Sequence, residues 1–380
     1  MIQISDKTKC CGCRACSEIC PKQCINMERD SEGFLYPVVD KDMCDEFDVY
    51  LAYALRPQTP KNYQKALDKR VHLIEVKNFS NGVLDIVADM RVIKELRQLQ
   101  QKVRPDVIHL HSSIAGGIGR CAYKSCKEYK LVYTPHGYAH ILMGKNGNKK
   151  CKVYELLEKL LGKRNCITLT CCESEDEVAK TLTRRTAYVE TGVNLVDLHT
   201  TIDPINPEPS EIFTVYGMGR LCTQKQPDLF NRIAELVPEA RFVWIGTGEL
   251  QHLLTAPNIK VTGWKPRHEA IAMGKGAQIY ILCSLGEAIA MSLIENMYIG
   301  KLCLVSNTMG NKSVIKNGIN GYICETAEDY AKRIREAMKK FPQELADRGQ
   351  KDVFEHYNTE RMKKDYIQFY NNAINGKYNK

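Results

Sequence analysis

The chain lacks any apolar run approaching the roughly 18 residues that cross a bilayer as a helix. Its opening, MIQISDKTKC, has no apolar stretch ahead of a small-residue cleavage site, so no secretory leader is expected. There is no zinc-finger spacing and no Arg/Lys stripe interleaved with aromatics, which sets nucleic acid aside as a partner. Acidic residues are the scarcer sign: 54 Lys and Arg face 45 Asp and Glu, a formal net charge of +9. That excess suits an anionic partner such as a nucleotide or a phospholipid surface, and equally a slightly basic cytosolic protein. An apolar fraction of 44% supports packed interiors rather than disorder. At 380 residues the chain exceeds one ordinary core, so two or three domains are expected. With no leader expected, the 17 cysteines read as cytosolic thiols or metal ligands rather than a disulfide framework.

Six of those cysteines crowd into CCGCRACSEICPKQC, residues 10–24. The spacing Cys10-x2-Cys13-x2-Cys16-x3-Cys20-Pro21 resembles the run with which bacterial ferredoxins hold cubane iron–sulfur clusters. In two-cluster ferredoxins the fourth cysteine of a run serves the other cluster. Cys10, Cys13 and Cys16 therefore need a distant partner, yet the second run starts at Cys44 and stops. Residues 1–44 read as a partial ferredoxin-like module. Cys10, Cys13, Cys16, Cys20 and Cys44 are either ligands of an incomplete iron–sulfur site or free thiols.

Beyond this segment, strands and helices alternate. DVYLAYAL, RVHLIEV, PDVIHLHS, KLVYTPHG and NCITLTC read as strands, with MRVIKELRQLQQKV and CKVYELLEKLLGK as helices among them. A proline-rich stretch, TTIDPINPEPS at residues 200–210, reads as a linker. A second series follows: EIFTVYGMG, ARFVWIGTG, NIKVTGW, AQIYILCS, KLCLVSN and GYICE as strands between helical segments. Near-continuous apolar strands between helices imply parallel sheets covered on both faces. The expected class is α/β, two open domains about a hinge, with ligands beyond the carboxyl ends of the strands. The last helical segment, NTERMKKDYIQFYNNAI, either bridges the two halves or simply ends the chain.

Chemistry gathers in the second half. In YGMGRLCTQKQPDLF, Arg220 and Lys225 follow a strand and precede a helix, where two cations and free N–H groups would hold a diphosphate. Taken alone, the pair reads first as solvated surface. In SLGEAIAMSLIENM, Glu287 lies in the loop after a strand and Glu295 in the following helix, so one carboxylate would reach sugar hydroxyls and the other a ribose diol. The bland alternative makes Glu295 a surface carboxylate, although its surroundings are mostly apolar. His136, between proline and glycine at a strand end, is either structural or functional. His109 and His111 share one strand face; one would line a cleft while the other packs, and no third residue completes a metal pair.

These pieces together resemble a family 4 glycosyltransferase with the two-domain GT-B fold, of the capsular and surface polysaccharide type. The resemblance is carried by VIHLHSSIAGGIGR, YTPHGYAH, TGVNLVDL, GRLCTQKQPDLF, FVWIGTGEL, VTGW and SLGEAIAMSLIENMYIGKLCLVSNTMGNKSVIKNGINGYI, in that order, and by the Glu287-x7-Glu295 spacing. It implies two Rossmann-like domains facing a cleft: an acceptor-side domain at 45–200, a nucleotide-sugar-binding domain at 205–355, and a helix at 356–380 bridging them. The implied activity is a retaining, hexosyltransferase-like transfer from a nucleotide sugar to a lipid-linked or polysaccharide acceptor, without a divalent metal. No Asp-x-Asp stands beside the nucleotide site, in agreement. By the same resemblance, Arg220 and Lys225 would neutralise the diphosphate and Glu295 would bind the ribose. Glu287 and His136 would face the transferred sugar, and Gly310 and Asn311 would form a donor loop; His111 is the acceptor-cleft candidate from its strand position rather than from the resemblance. The expected location is cytoplasmic, with peripheral contact at the inner face of the membrane. The competing reading is an iron–sulfur electron-transfer protein that uses the α/β region as a scaffold.

Two departures from the family are visible. Ala288 stands where glycine is usual after the first motif glutamate, and its methyl group would strain a left-handed backbone. The family's first strand and helix have no counterpart. Their place is held by the cysteine segment, and the nearest substitute, FLYPVV at 34–39, carries Pro37, which a central strand does not accommodate.

Overall fold

The computed structural model describes residues 25–29, 35–39, 48–55, 64, 69–77, 79, 86–124, 126–142, 149–207 and 212–378. The candidate cluster ligands Cys10, Cys13, Cys16, Cys20 and Cys44 lie outside the described residues. The described cysteines are free thiols.

The carboxyl-terminal half is built on a six-stranded parallel sheet. Its strands are β9 (Thr214–Met218), β10 (Arg241–Ile245), β11 (Ile259–Val261), β12 (Ile279–Leu282), β13 (Leu302–Ser306) and β14 (Tyr322–Cys324), in the order β11-β10-β9-β12-β13-β14. Segments such as TVYGM, IYIL and LCLVS are apolar throughout because both faces are covered. On one face Phe230 and Ile233 pack with Phe242, Tyr330 and Ile334. On the other, Leu293, Ile294 and Met297 pack with Tyr216, Tyr280 and Val353. Chain order reverses at β9, which has β10 on one side and β12 on the other; the crevice at their carboxyl ends is the natural ligand position.

The amino-terminal half carries a parallel four-stranded sheet, β5 (Val107–His111), β6 (Lys130–Thr134), β7 (Ile167–Thr170) and β8 (Thr186–Tyr188). Strands β3 (Tyr50–Tyr53) and β4 (His72–Glu75) form a separate parallel pair. Among the described residues no strand joins this pair to β5. The stretch FLYPVV does not fill that position: β2 (Leu35–Val39) pairs antiparallel with β1 (Ile25–Arg29) as its own hairpin, Pro37 opposite Met27. A two-stranded edge tolerates a proline that a central strand would not.

The helices of this half are α1 (Ile86–Val103), α2 (Ser113–Ala122), α3 (Ala139–Leu142), α4 (Lys149–Gly162), α5 (Glu173–Leu182) and α6 (Leu195–Thr201). Those of the other half are α7 (Pro227–Leu236), α8 (Arg267–Lys275), α9 (Met291–Tyr298), α10 (Met309–Val314), α11 (Ala327–Lys339) and α12 (Gln343–Glu355). The last helix, α13 (Thr359–Ile374), is capped by Asn358, which accepts from the Arg361 N–H. Its Phe369, Tyr370 and Ala373 bury against Val132, Ile167, Leu169 and Val189 of the amino-terminal sheet. Among the described residues no helix is long and apolar enough to cross a membrane.

Candidate active site

Two loops leave the second sheet where its strand order reverses. Lys225 ends a short 3-10 turn in the first, and its Nζ reaches Glu287 Oε1, in the second, at 2.6 Å. Gln224 fixes this approach: its side-chain amide donates to the Gly286 carbonyl at 2.8 Å, and its own carbonyl accepts from the Leu285 N–H at 2.8 Å. A cation and a carboxylate 62 residues apart are thereby held together and largely shielded from water. Arg220 leaves the first loop in another direction, pairing with Glu249 at 3.2 Å while 75% exposed.

Ala288 is not among the described non-glycine residues with positive φ, which are Arg104, Ser112, His136 and Gln226, so the glycine's replacement strains nothing here. The site does need a glycine one element further on. The Gly310 N–H donates to the Glu287 carbonyl at 3.1 Å, and a Cβ there would overlap the Ala288 carbonyl oxygen, so α10 docks backbone to backbone on this loop. The adjacent Asn311 is buried, its amide donating to the Ser306 carbonyl at 3.0 Å and the Ser306 hydroxyl at 3.2 Å; it ties α10 to the end of β13.

Glu295 is buried in α9, and Arg267 at the start of α8 holds it: Nη2 lies 2.5 Å and Nε 2.7 Å from its Oε1. The same guanidinium reaches Asp197 Oδ2, on α6, at 3.2 Å.

On the amino-terminal side, His109 and His111 project from one face of β5 with their rings 4.1 Å apart. His109 is packed, bonded to the Tyr370 hydroxyl at 2.7 Å and the Thr134 hydroxyl at 2.8 Å. His111 Nδ1 meets His136 Nε2 at 2.9 Å. His136 has φ +54° and Gly137 φ +90°, a left-handed turn that costs free energy at a non-glycine residue. Glu175 braces that turn from beneath. Its buried carboxylate accepts from the Gly137 N–H at 2.7 Å and from the Cys171 N–H at 2.9 Å.

The Cys171 sulfur lies 3.3 Å from His136 Nδ1. Burial pushes this thiol well above its ordinary pKa, so it keeps its proton. Between neutral His136 and His111 a single proton is shared across the Nε2 to Nδ1 contact, one ring donating to the other. Loss of hydration lowers all three imidazoles, although His111 and His136 keep exposed edges: His109 well below the usual value, with the neighbouring histidines adding to the effect, His111 to about 4, and His136 as well. A neutral, donor-bearing row of rings lines this wall. Among the described residues no group of three His, Cys, Asp or Glu side chains is arranged to hold a metal ion.

The two walls meet at the base of the cleft. The Ser174 hydroxyl donates to the Met309 carbonyl at 2.6 Å, and the Cys172 thiol to the Ala288 carbonyl at 3.4 Å. The backbone of α3, just after the His136 turn, lies against Gly286, where a Cβ would stand 2.8 Å from the Ile141 carbonyl oxygen. The loops carrying His136 and Glu287 thus face one another. Sequence reasoning missed Glu175, Cys171, Gln224 and Arg267. Glu175 stands beside Glu173 and Asp176 in an acidic first helical turn, and nothing local marks it as the one that meets the Gly137 and Cys171 N–H groups.

Comparison with known proteins gives this geometry a family. Residues 45–197 match the model for Glycosyltransferase Family 4, and residues 199–352 that for Glycosyl transferases group 1. Segment 1–44 lies outside both matches. The chain is 30% identical over 288 residues to the UDP-Gal:alpha-D-GlcNAc-diphosphoundecaprenol alpha-1,3-galactosyltransferase of Escherichia coli, spanning 68% of this chain and 72% of that one. Among solved structures, sucrose-phosphate synthase from Thermosynechococcus elongatus aligns with a TM-score of 0.71 at 14% identity, over 88% of this chain and 90% of that one. Anabaena HepE, solved with UDP and glucose, aligns with a TM-score of 0.64 at 15% identity, over 81% and 87%. At such identities the structural likeness is one of fold, the GT-B pair of Rossmann-like sheets. The chain belongs to the group 1, family 4 glycosyltransferases.

Proposed function

We propose that this chain moves a hexose from a nucleotide sugar, with retention of configuration, onto a lipid-linked or polysaccharide acceptor. The observation that carries the reading is the contact between Lys225 and Glu287, fixed by Gln224 at the sheet's switch point and opposed by the His136 turn. Sugar transfer from a nucleoside diphosphate develops negative charge on the departing diphosphate. A cation positioned beforehand in a shielded site stabilises that charge far more than one in water. Lys225 fills this role. Arg220, from the same loop, adds charge at the rim, and the N–H groups of the first turn of α9 face the same anion. Glu287 accepts from the sugar hydroxyls and Glu295, with Arg267, from the ribose diol. Gly310 lets α10 close on the donor loop, while Asn311 anchors that helix. Across the cleft His136 and His111 present neutral imidazoles to the sugar and acceptor.

The donor named for the Escherichia coli relative is UDP-galactose, and Anabaena HepE holds UDP and glucose; both favour a UDP-hexose here. That relative's named acceptor is a sugar on diphosphoundecaprenol, which supports a reaction at a membrane's inner face with the enzyme in peripheral contact. The iron–sulfur reading rests on cysteine spacing in a segment outside both family matches, and iron analysis with a visible spectrum of anaerobically purified protein tests it. For the transferase reading, purified protein is incubated with a panel of UDP-hexoses and a diphosphate-lipid-linked sugar. Lys225→Ala is expected to lower the rate on the order of a hundredfold or more. Absence of turnover with every donor, while UDP still binds, counts against the reading.

A further inference from the structure

Helix α4 is inside out. At roughly 100° per residue, Val153, Leu156, Leu157 and Leu160 form one stripe at the i, i+3, i+4, i+7 spacing that normally faces a core. Here that stripe faces solvent: the four side chains are 53%, 58%, 40% and 52% exposed. The inward side instead holds a carboxylate. Glu158 is buried, accepting from Arg120 Nη2 at 2.9 Å and the Tyr133 hydroxyl at 3.0 Å, while the guanidinium lies over the Tyr133 ring at 3.9 Å. That buried pair fixes the helix's rotation, so the apolar face cannot be turned inward without stranding two charges.

The charges around the stripe specify what covers it. Lys152, Lys159 and Lys163, spaced seven and four residues apart, line one edge, and Arg164 follows at the carboxyl end; all four are exposed. Glu155, which pairs with Lys159 at 2.5 Å, is the neighbouring acid on that side. An apolar stripe edged by lysines matches an anionic bilayer, with leucines in the acyl boundary and ammonium groups among the headgroup phosphates. We propose that the outer face of α4 docks this glycosyltransferase on an anionic membrane surface.

The position fits the chemistry. Helix α4 packs against α3, whose backbone lies against the Gly286 loop, so the docking helix belongs to the same wall as the His136 turn. This part of the argument rests on the lipid-linked acceptor proposed above: a polyprenol-borne diphosphate would sit at the depth where α4 holds the protein.

Flotation of the full chain with vesicles of phosphatidylglycerol and phosphatidylethanolamine tests the proposal, with pure phosphatidylcholine as control. Wild type is expected to float with the anionic vesicles. Leu156→Ser with Leu160→Ser is expected to weaken binding on the order of a hundredfold. Lys152→Glu with Lys163→Glu is expected to weaken it at least twentyfold, since each basic group near the surface contributes about fivefold. Transfer to a soluble, short-chain acceptor should stay at the wild-type rate in both variants. Wild type that ignores anionic vesicles, or variants that bind like wild type, overturns the proposal. So does a wild-type dimer in sedimentation that the leucine substitutions dissociate, which would make a second copy the occupant. If wild type binds vesicles but turns over no nucleotide sugar, docking stands and the transferase assignment falls.

Discussion

Replacing Glu175 by glutamine tests how the His136 turn is held. The carboxylate accepts two backbone N–H bonds, from Gly137 at 2.7 Å and Cys171 at 2.9 Å, and the residue is fully buried. Glutamine keeps one acceptor oxygen and turns an NH2 group toward the other N–H, so one buried donor is left without a partner. Hydrogen bonds to a charged acceptor contribute about 1.5–3 kcal/mol, and an orphaned buried donor costs about 1–3 kcal/mol. Against this, a neutral amide is cheaper to bury than Glu175, whose pKa is raised by burial. The net loss expected is about 1–3 kcal/mol, a large share of the roughly 5–15 kcal/mol that stabilises a typical protein. Urea unfolding followed by far-ultraviolet circular dichroism reads the loss, and hydrogen exchange over residues 134–138 reads its place. Both tryptophans, Trp244 and Trp264, lie in the other half, so tryptophan fluorescence and UDP binding serve as internal controls that should barely move. Transfer should fall, because His136 is freed from its left-handed turn. A variant with the wild-type midpoint and wild-type exchange at Gly137 refutes the brace.

Gly310→Ala should cost about 1–3 kcal/mol as overpacking and weaken UDP binding, since its Cβ meets the Ala288 carbonyl; calorimetric melting and titration with UDP check this. Glu158→Leu strands the buried Arg120 and should cost about 3–5 kcal/mol in urea unfolding, while adding Arg120→Leu should recover most of that loss. Acid should destabilise the amino-terminal half. His111 is depressed to about 4 by burial, so the unfolded chain takes up protons from about pH 6.5 where the folded chain does not. Its stabilising contribution is present above pH 6.5 and lost as pH falls toward 4, and urea midpoints at pH 7 and pH 5 should differ less in His111→Asn than in wild type.

Much of the fold was legible because its strands are apolar on both faces. IYIL, LCLVS and ITLT leave no alternative to buried parallel strands once helices flank them. The sequence placed Lys225 and Glu287 each just after a strand; their pairing depends on β9 and β12 lying side by side, a strand order that the alternation of elements does not give. His109 and His111 share one face of β5, as the strand period implies, one packed under Tyr370 and the other toward His136. Less visible were residues whose role depends on distant backbone. Glu175 matters because the 137 and 171 amides converge on it, and Arg267 because α6 and α9 bring Asp197 and Glu295 to the same guanidinium. The outward stripe of α4 misleads in the opposite sense: its spacing reads as a core face, and only the buried Arg120 and Glu158 reveal that it points to solvent.

The most direct test of the account is the stereochemistry of the product. The protein is given an α-linked UDP-hexose and a sugar carried on a lipid diphosphate, and the new glycosidic bond is examined by nuclear magnetic resonance. A retained α-linkage, formed by wild type and lost on Lys225→Ala, is the predicted result. A β-linked product, or transfer that proceeds unchanged without the Lys225 ammonium group, would contradict it.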